Sequence, residues 1–334
     1  MQRRIINLTD FCTVKYSWLP AVLIILLGCI WGSSFILMKR GLLVFSPLQV
    51  AGTRLILAGA VLLPWVLKYT FFKPNDPLDS SKKILEKSDY LWLIASGVLG
   101  NAIPALLFSY AGRLIPSGLS GILNAFTPLF TLFFSAFLFR EKFTREGGIG
   151  VIMGIVGAIF LFGPSLLSYG QPINLLGASL PLMAALLYGL NINIIKHKLS
   201  HLPGMVKTAY PFVSVGIIYT IILSQTNYFD AWDKHPGGLF QEGFGFFDEG
   251  NISANSAFFY LFLLGFMGSA VSMIIFNWII KYVSSLVAST NTFIIPVTAV
   301  FWGFADHESL SWNIYVGMFF LLAAVFLIIR PKKS

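Results

Sequence analysis

A chain of 334 residues that is 56% hydrophobic and 11% charged carries too little charge for a soluble domain, where about 25% is usual. Its net charge of +9 does not point to nucleic acid, because the basic residues gather at the ends of apolar runs, as anionic lipid surfaces favour. Two cysteines, Cys12 and Cys29, are too few for a disulfide framework or a thiolate metal centre.

Ten apolar segments follow in chain order, at about 19–38, 47–68, 90–112, 117–139, 147–163, 174–195, 207–224, 258–280, 284–304 and 312–329. Each is predicted to be a helix, since lipid offers no partners to open backbone groups. The first follows Arg3, Arg4 and Lys15 and is about 20 residues long, enough to span, so it reads as an uncleaved first helix and not a signal peptide. Trp18, Trp65, Tyr69, Tyr90, Trp92 and Trp312 fall near segment ends, as in an aromatic belt. With the N-terminus in the cytoplasm, eighteen of the 23 Lys and Arg lie on the inner side. Lys39, Arg40, Arg113 and Lys234 lie outside, and Arg54 lies within a helix. This bias predicts a multi-pass protein of the cytoplasmic (plasma or inner) membrane with both termini cytoplasmic. The basic connection 69–89 is predicted inside, and the acidic, glycine-rich connection 225–257 is predicted to be a long external loop. The sequon Asn251-Ile252-Ser253 in that loop carries little weight.

The two halves of the chain match. At an offset of 168, Gly97 aligns with Gly265, Gly100 with Gly268, Phe108 with Phe276, Ser117 with Ser285 and Pro128 with Pro296. Glu141 aligns with Glu308 after one deletion, and an offset of 157 pairs Trp31 with Tyr188, Gly32 with Gly189 and Lys39 with Lys196. Residues 19–163 and 174–329 therefore read as two five-helix repeats. An odd number of crossings sets the second upside down relative to the first.

Trp31-Gly32-Ser33-Ser34-Phe35 in the first helix resembles the opening of EamA-type members of the drug/metabolite transporter superfamily. So do Arg54 following Pro47, Pro128 in the fourth helix with Arg140-Glu141 at its end, and the glycine-rich fifth helix. The resemblance implies an all-α integral membrane protein of ten transmembrane helices, in two inverted five-helix repeats around a central cavity. It also implies movement of small metabolites, often efflux of amino acids or related compounds. The second half departs from the pattern. Tyr188 replaces the tryptophan, Pro211 stands at the counterpart of Arg54, and the 225–257 connection is unusually long.

A transport path needs polar or aromatic groups on inward faces. In the fourth helix Ser117, Ser120, Asn124, Thr127 and Thr131 recur at helical spacing on one face, and Ser285, Ser289 and Thr292 correspond in the ninth. Asn101 and Pro104 share a face of the third helix, matched by Ser269 and Ser272 in the eighth. Trp31 and Ser34 share a face of the first, matched by Tyr188 and Asn191 in the sixth. These six helices are predicted to surround the path of a small-molecule metabolite. The plainer alternative is that Ser and Thr bond their own backbone and the aromatics only pack. Arg54 is expected to have an interfacial or gating role, and Lys39 and Lys196, which end equivalent helices, to be gate charges or lipid anchors. The Gly150–Gly154 spacing suits close helix packing within the bundle, or a homodimer face. No Asp or Glu lies deep in a predicted helix, which disfavours a relay through a buried carboxylate. No Walker sequence is present, and the loop pair His197 and His201 lacks the carboxylate of a zinc hydrolase. No enzyme activity, metal, cofactor or nucleic-acid partner is expected. The reading is a secondary transporter of neutral or zwitterionic metabolites, with export inferred from the resemblance alone. Its rivals are a membrane-embedded enzyme on lipid or isoprenoid substrates and a non-transporting scaffold.

Overall fold

The computed structural model describes residues 18–71, 85–141, 145–166, 173–239, 252–279 and 291–329. The basic N-terminal residues, most of the 69–89 connection, Asn251 of the sequon, Lys281, Ser285 and Ser289 lie outside them. The described residues are helical and contain no strand. Eight helices are long and apolar enough to cross a membrane, and two more, Asn291–Ala305 and Trp312–Ile329, are apolar but shorter.

In chain order the helices are α1 (Leu19–Leu42), α2 (Pro47–Phe71), α3 (Lys87–Gly97), α4 (Ile103–Ala111), α5 (Ser117–Asn124), α6 (Thr127–Phe137) and α7 (Arg145–Leu166). Then come α8 (Leu175–Lys198), α9 (Gly204–Ser224), α10 (Asp230–Lys234), α11 (Ala254–Gly265), α12 (Ser272–Ile279), α13 (Asn291–Ala305) and α14 (Trp312–Ile329). The third and eighth predicted segments are each one helix with a π-turn in the middle, at Val98–Ala102 and Phe266–Val271. A π-turn widens the helix by one residue and changes which side chains share a face.

The fourth predicted segment is not one continuous helix. It breaks at Ala125 and Phe126, because Pro128 has no N–H to offer the carbonyl of Asn124. The Thr127 hydroxyl donates to that carbonyl instead, at 2.8 Å. Part of the predicted 225–257 loop lies among the described residues and is helical. Ser253 caps α11 by accepting from the Ser256 N–H, and α10 lies within the loop. Around α10, Tyr228 stacks on Phe45 with centroids 5.5 Å apart, and Trp232 meets the same ring edge-on. Phe45, in the turn between α1 and α2, is fully buried as a result.

The helices pack in matched sets. α2 lies against α9 and α7 against α14; α1 packs on α13 and on α11, as α8 packs on α6 and on α4. Small residues allow these contacts. A Cβ added at Gly32 of α1 would stand 2.5 Å from Thr298 Cβ and 2.8 Å from the Ile295 carbonyl. One added at Gly189 of α8 would stand 2.7 Å from the Thr131 nitrogen. The glycine face of α7 is filled within the chain. Gly157 is 3.0 Å, measured from an added Cβ, from the Gly317 carbonyl, and Gly150 is as close to that of Ala324. The opposite face of α7, with Ile149, Ile152, Ile155 and Ile159, is exposed, as a lipid-facing surface would be.

Candidate substrate path

The π-turns place much of the predicted path. In the first, Gly100 leaves room for Asn191 of α8, whose amide occupies the space a Cβ would need. In the second, Gly268 does the same for Ser34 of α1, with Ser34 Oγ 2.8 Å from an added Cβ. Ser34 also donates to the Ile30 carbonyl at 3.2 Å. Trp31 Nε1 donates to Ser272 Oγ at 2.9 Å, and Ser272 in turn donates to the Gly268 carbonyl at 2.9 Å. Tyr188 stacks on Phe108, which meets Phe35 edge-on, so Trp31 and Tyr188 pack against one shared apolar cluster. Asn101 lies half-buried on the first π-turn.

The α5–α6 stripe divides in two. Thr127 and Thr131 satisfy their hydroxyls on local carbonyls, at 2.8 Å each. Among the described residues, Ser117 Oγ, Ser120 Oγ and Asn124 Oδ1 are enclosed with no protein hydrogen-bond partner, and Asn191 Oδ1 is in the same condition. Thr292 in α13 donates to Asn291 Oδ1 at 3.3 Å, while Ser289 cannot be placed because it lies outside the described residues. Arg54, expected to have an interfacial or gating role, donates from its Nε to Ser269 Oγ at 2.8 Å.

Charged groups pair at both ends of the bundle. At one end Lys39 reaches Asp306 at 2.6 Å and Glu308 at 3.1 Å, and the buried Arg40 also pairs with Asp306. Glu308 then accepts from the Ser117 and Gly118 N–H groups at 2.8 and 3.0 Å. These are two of the unpaired donors that open α5, where a negative charge is favoured. At the other end Lys196 meets Glu141 at 2.5 Å, His197 meets it at 3.1 Å, and Ser135 donates to it. His201 turns instead to Asp89, at 3.0 Å, so the two histidines diverge to different carboxylates. Arg140 and His307, each just before its glutamate, both have positive φ, 54° and 56°. The first end is the more enclosed: the side chains of Asp306 and Glu308 are 1% and 5% exposed, and that of Glu141 is 37%.

Glu141, beyond the end of α6, is held below the ordinary carboxylate range by the hydrogen bond from Lys196 and then by that from Ser135. A lowered folded-state value stabilises the fold above the unfolded value, and this gain is lost as pH falls through the folded one. Wild type should therefore unfold at a higher temperature than Glu141→Gln at neutral pH, and the two midpoints should converge on acidification below the carboxylate range. A gap that ignores pH would show that the Glu141 charge does not contribute.

Glu141, Asp306 and Glu308 are legible in the sequence as helix-end acids, but their pairing with the lysines is not. Lys39 and Lys196 were legible as equivalent helix ends, and Glu141 and Glu308 as equivalent positions. Joining those two observations would have paired them. A cavity of about 330 Å³ opens elsewhere, between α2, α9 and the segment leading to α10, lined by Thr53, Ile56, Leu223, Tyr228 and Phe258 among others. No predicted path residue lines it, and its walls are almost wholly hydrocarbon.

A helical bundle with long apolar spans, matched packing and polar groups held inside it defines an integral membrane protein. The EamA-like transporter family matches residues 18–163 and again residues 175–330; the chain belongs to that family. Among its relatives, the uncharacterized transporter YoaV of Bacillus subtilis is 26% identical over 91% of this chain and 94% of its own length. The uncharacterized inner membrane transporter YedA of Escherichia coli is 26% identical over 91% and 88%. A probable amino-acid metabolite efflux pump of Escherichia coli is 29% identical over 49% of each chain. A solved crystal structure superposes with a TM-score of 0.54 over 92% of this chain and 94% of its own, at 16% identity, and so shares the fold. Family and relatives are named as transporters, not enzymes, which gives the protein a small-molecule substrate and a membrane setting.

Proposed function

We propose that the chain is a secondary transporter that exports amino acids or related neutral or zwitterionic metabolites across the cytoplasmic membrane. Its ten segments form two inverted five-helix repeats, 19–163 and 174–329, around a central path, with both termini cytoplasmic. The observation that carries this reading is the set of enclosed, unpartnered polar atoms at Ser117, Ser120, Asn124 and Asn191. Each such atom costs about 1–3 kcal/mol in a structure that never satisfies it. A route that opens to water and substrate in another state satisfies them in turn. The repeat is supported by the double family match, by helix pairings that exchange under the sequence offsets, and by π-turns at corresponding places. Export of amino-acid compounds is supported by the relative named as an efflux pump.

On this reading the Lys39–Asp306–Glu308 cluster is the external gate, closed here, and Lys196–Glu141 is its internal counterpart. α5 is buried along most of its length against α13, whereas α6 turns toward α8 and α14 and keeps a partly exposed face. That difference suits a bundle sealed outside and looser inside.

Purified protein in proteoliposomes, offered pooled labelled amino acids with and without a pH gradient, should give saturable, protein-dependent uptake. Asn124→Leu should abolish that uptake while leaving expression and thermal unfolding close to wild type. Undiminished transport in the variant would remove the α5 stripe from the path.

A further inference from the structure

We propose that Arg54 is the anchor for a carboxylate, so that the transported compound carries a carboxylate next to an apolar or cationic part. The proposal rests on the transporter reading and names the chemistry of its substrate. Arg54 lies two turns into α2, where its backbone is pressed against α11: a Cβ added at Gly265 would stand 2.9 Å from the Arg54 carbonyl. The side chain therefore leaves the helix toward the second π-turn and not toward lipid. Ser269, 1% exposed in that turn, accepts from Arg54 Nε at 2.8 Å and fixes the plane of the guanidinium.

That bond uses one of five N–H donors. No ion pair and no further hydrogen bond engages Arg54 among the described residues. The side chain is partly buried, and neither terminal nitrogen is among the enclosed, unpartnered atoms. The acids at the closed end are already committed: Asp306 pairs with Lys39 and Arg40, and Glu308 serves Lys39 and the start of α5.

An arginine inside a membrane protein without a counter-charge is costly. Its planar fork is the group best suited to a bidentate carboxylate. The surroundings describe the rest of the ligand. Trp31 is bound to Ser272, three residues after Ser269, and Tyr188 packs against the same apolar cluster as Trp31. Aromatic faces of this kind accept an apolar side chain or an ammonium group. An α-amino acid presents a carboxylate together with both.

The test compares uptake of labelled leucine, threonine and phenylalanine with that of their amides, which lack the carboxylate, by wild type, Arg54→Lys and Arg54→Gln in proteoliposomes. Wild type should take up the acids with at least about tenfold lower half-saturation than the amides, the scale of one charge-assisted contact. Arg54→Gln should lose that preference, and Arg54→Lys should keep part of it. A variant that merely folded poorly would lower uptake of acids and amides alike. A second measurement uses the unaltered protein: modification of Arg54 by an arginine-selective dicarbonyl, followed by mass spectrometry, should be slowed by the acids and not by the amides. Saturable uptake with no preference for acids, or a preference that survives Arg54→Gln, overturns the carboxylate assignment while leaving a transporter. No saturable uptake of any acid or amide overturns the amino-acid reading and this inference together.

Discussion

Asp306→Ala is expected to destabilise the protein by about 3–5 kcal/mol, the usual result of removing one partner from a buried ion pair. Asp306 carries two cations, Lys39 at 2.6 Å and Arg40 through Nη2. The side chains of Arg40 and Asp306 are each 1% exposed. Arg40 Nε and Nη1 have no hydrogen-bond partner among the described residues, so Asp306 supplies the main compensation for that charge there. Without it, Arg40 stays enclosed and uncompensated, while Lys39 keeps its contact with Glu308. The pair itself need not be strongly favourable, because desolvating two charges cancels most of their attraction. A double variant, Arg40→Met with Asp306→Leu, should therefore recover much of the loss. Thermal unfolding in detergent is the measurement. A single variant within about 1 kcal/mol of wild type would mean that Arg40 finds water in solution and that this end is not sealed.

The second large effect concerns helix contact. Gly189→Ala should destabilise by at least the 1–3 kcal/mol typical of overpacking, and Gly32→Ala should behave similarly. At Gly189 the new methyl would sit 2.7 Å from the Thr131 nitrogen and 2.8 Å from the Phe130 carbonyl carbon. Both are backbone atoms, so no side chain can turn aside, and α8 must move off α6. At Gly32 the obstacles are Thr298 Cβ at 2.5 Å and the Ile295 carbonyl at 2.8 Å, which presses α1 off α13. Gly148→Ala is the control. Nothing lies within 4 Å of its added Cβ, and alanine is the better helix former, so this variant should be neutral or slightly stabilised. If unfolding midpoints failed to rank Gly148→Ala above the other two, close helix approach would not be what those glycines provide.

The spans were legible because hydrocarbon leaves the backbone one choice, and a run of apolar residues records it. Several details were not, each for a physical reason. Lys39 and Asp306 are separated by 267 residues, and no local pattern announces a contact that only the fold creates. The π-turns leave no mark on composition, so a face drawn for Asn101 from a straight helix ignores the extra residue beside it. Helix α10 was hidden in a polar, glycine-rich stretch whose order comes from Tyr228 and Trp232 packing on Phe45. The break in the fourth segment was half legible: Pro128 announced the lost hydrogen bond but not that Thr127 would supply another. The polar stripe was read as one surface, yet geometry separates hydroxyls that have found a carbonyl, at Thr127 and Thr131, from those at Ser117 and Ser120 that have not.

The paired π-turns also bear on how such a chain arose. A π-turn is what remains when one residue is inserted into a helix already committed to its neighbours on both sides. On the two-repeat reading, the turns at Val98–Ala102 and Phe266–Val271 occupy the same place in each half. One insertion in an ancestor of half the length accounts for both. On that reading the ancestor would be a five-helix protein with its wide turn already in place, and two oppositely oriented copies of it would make the contacts that one polypeptide now holds.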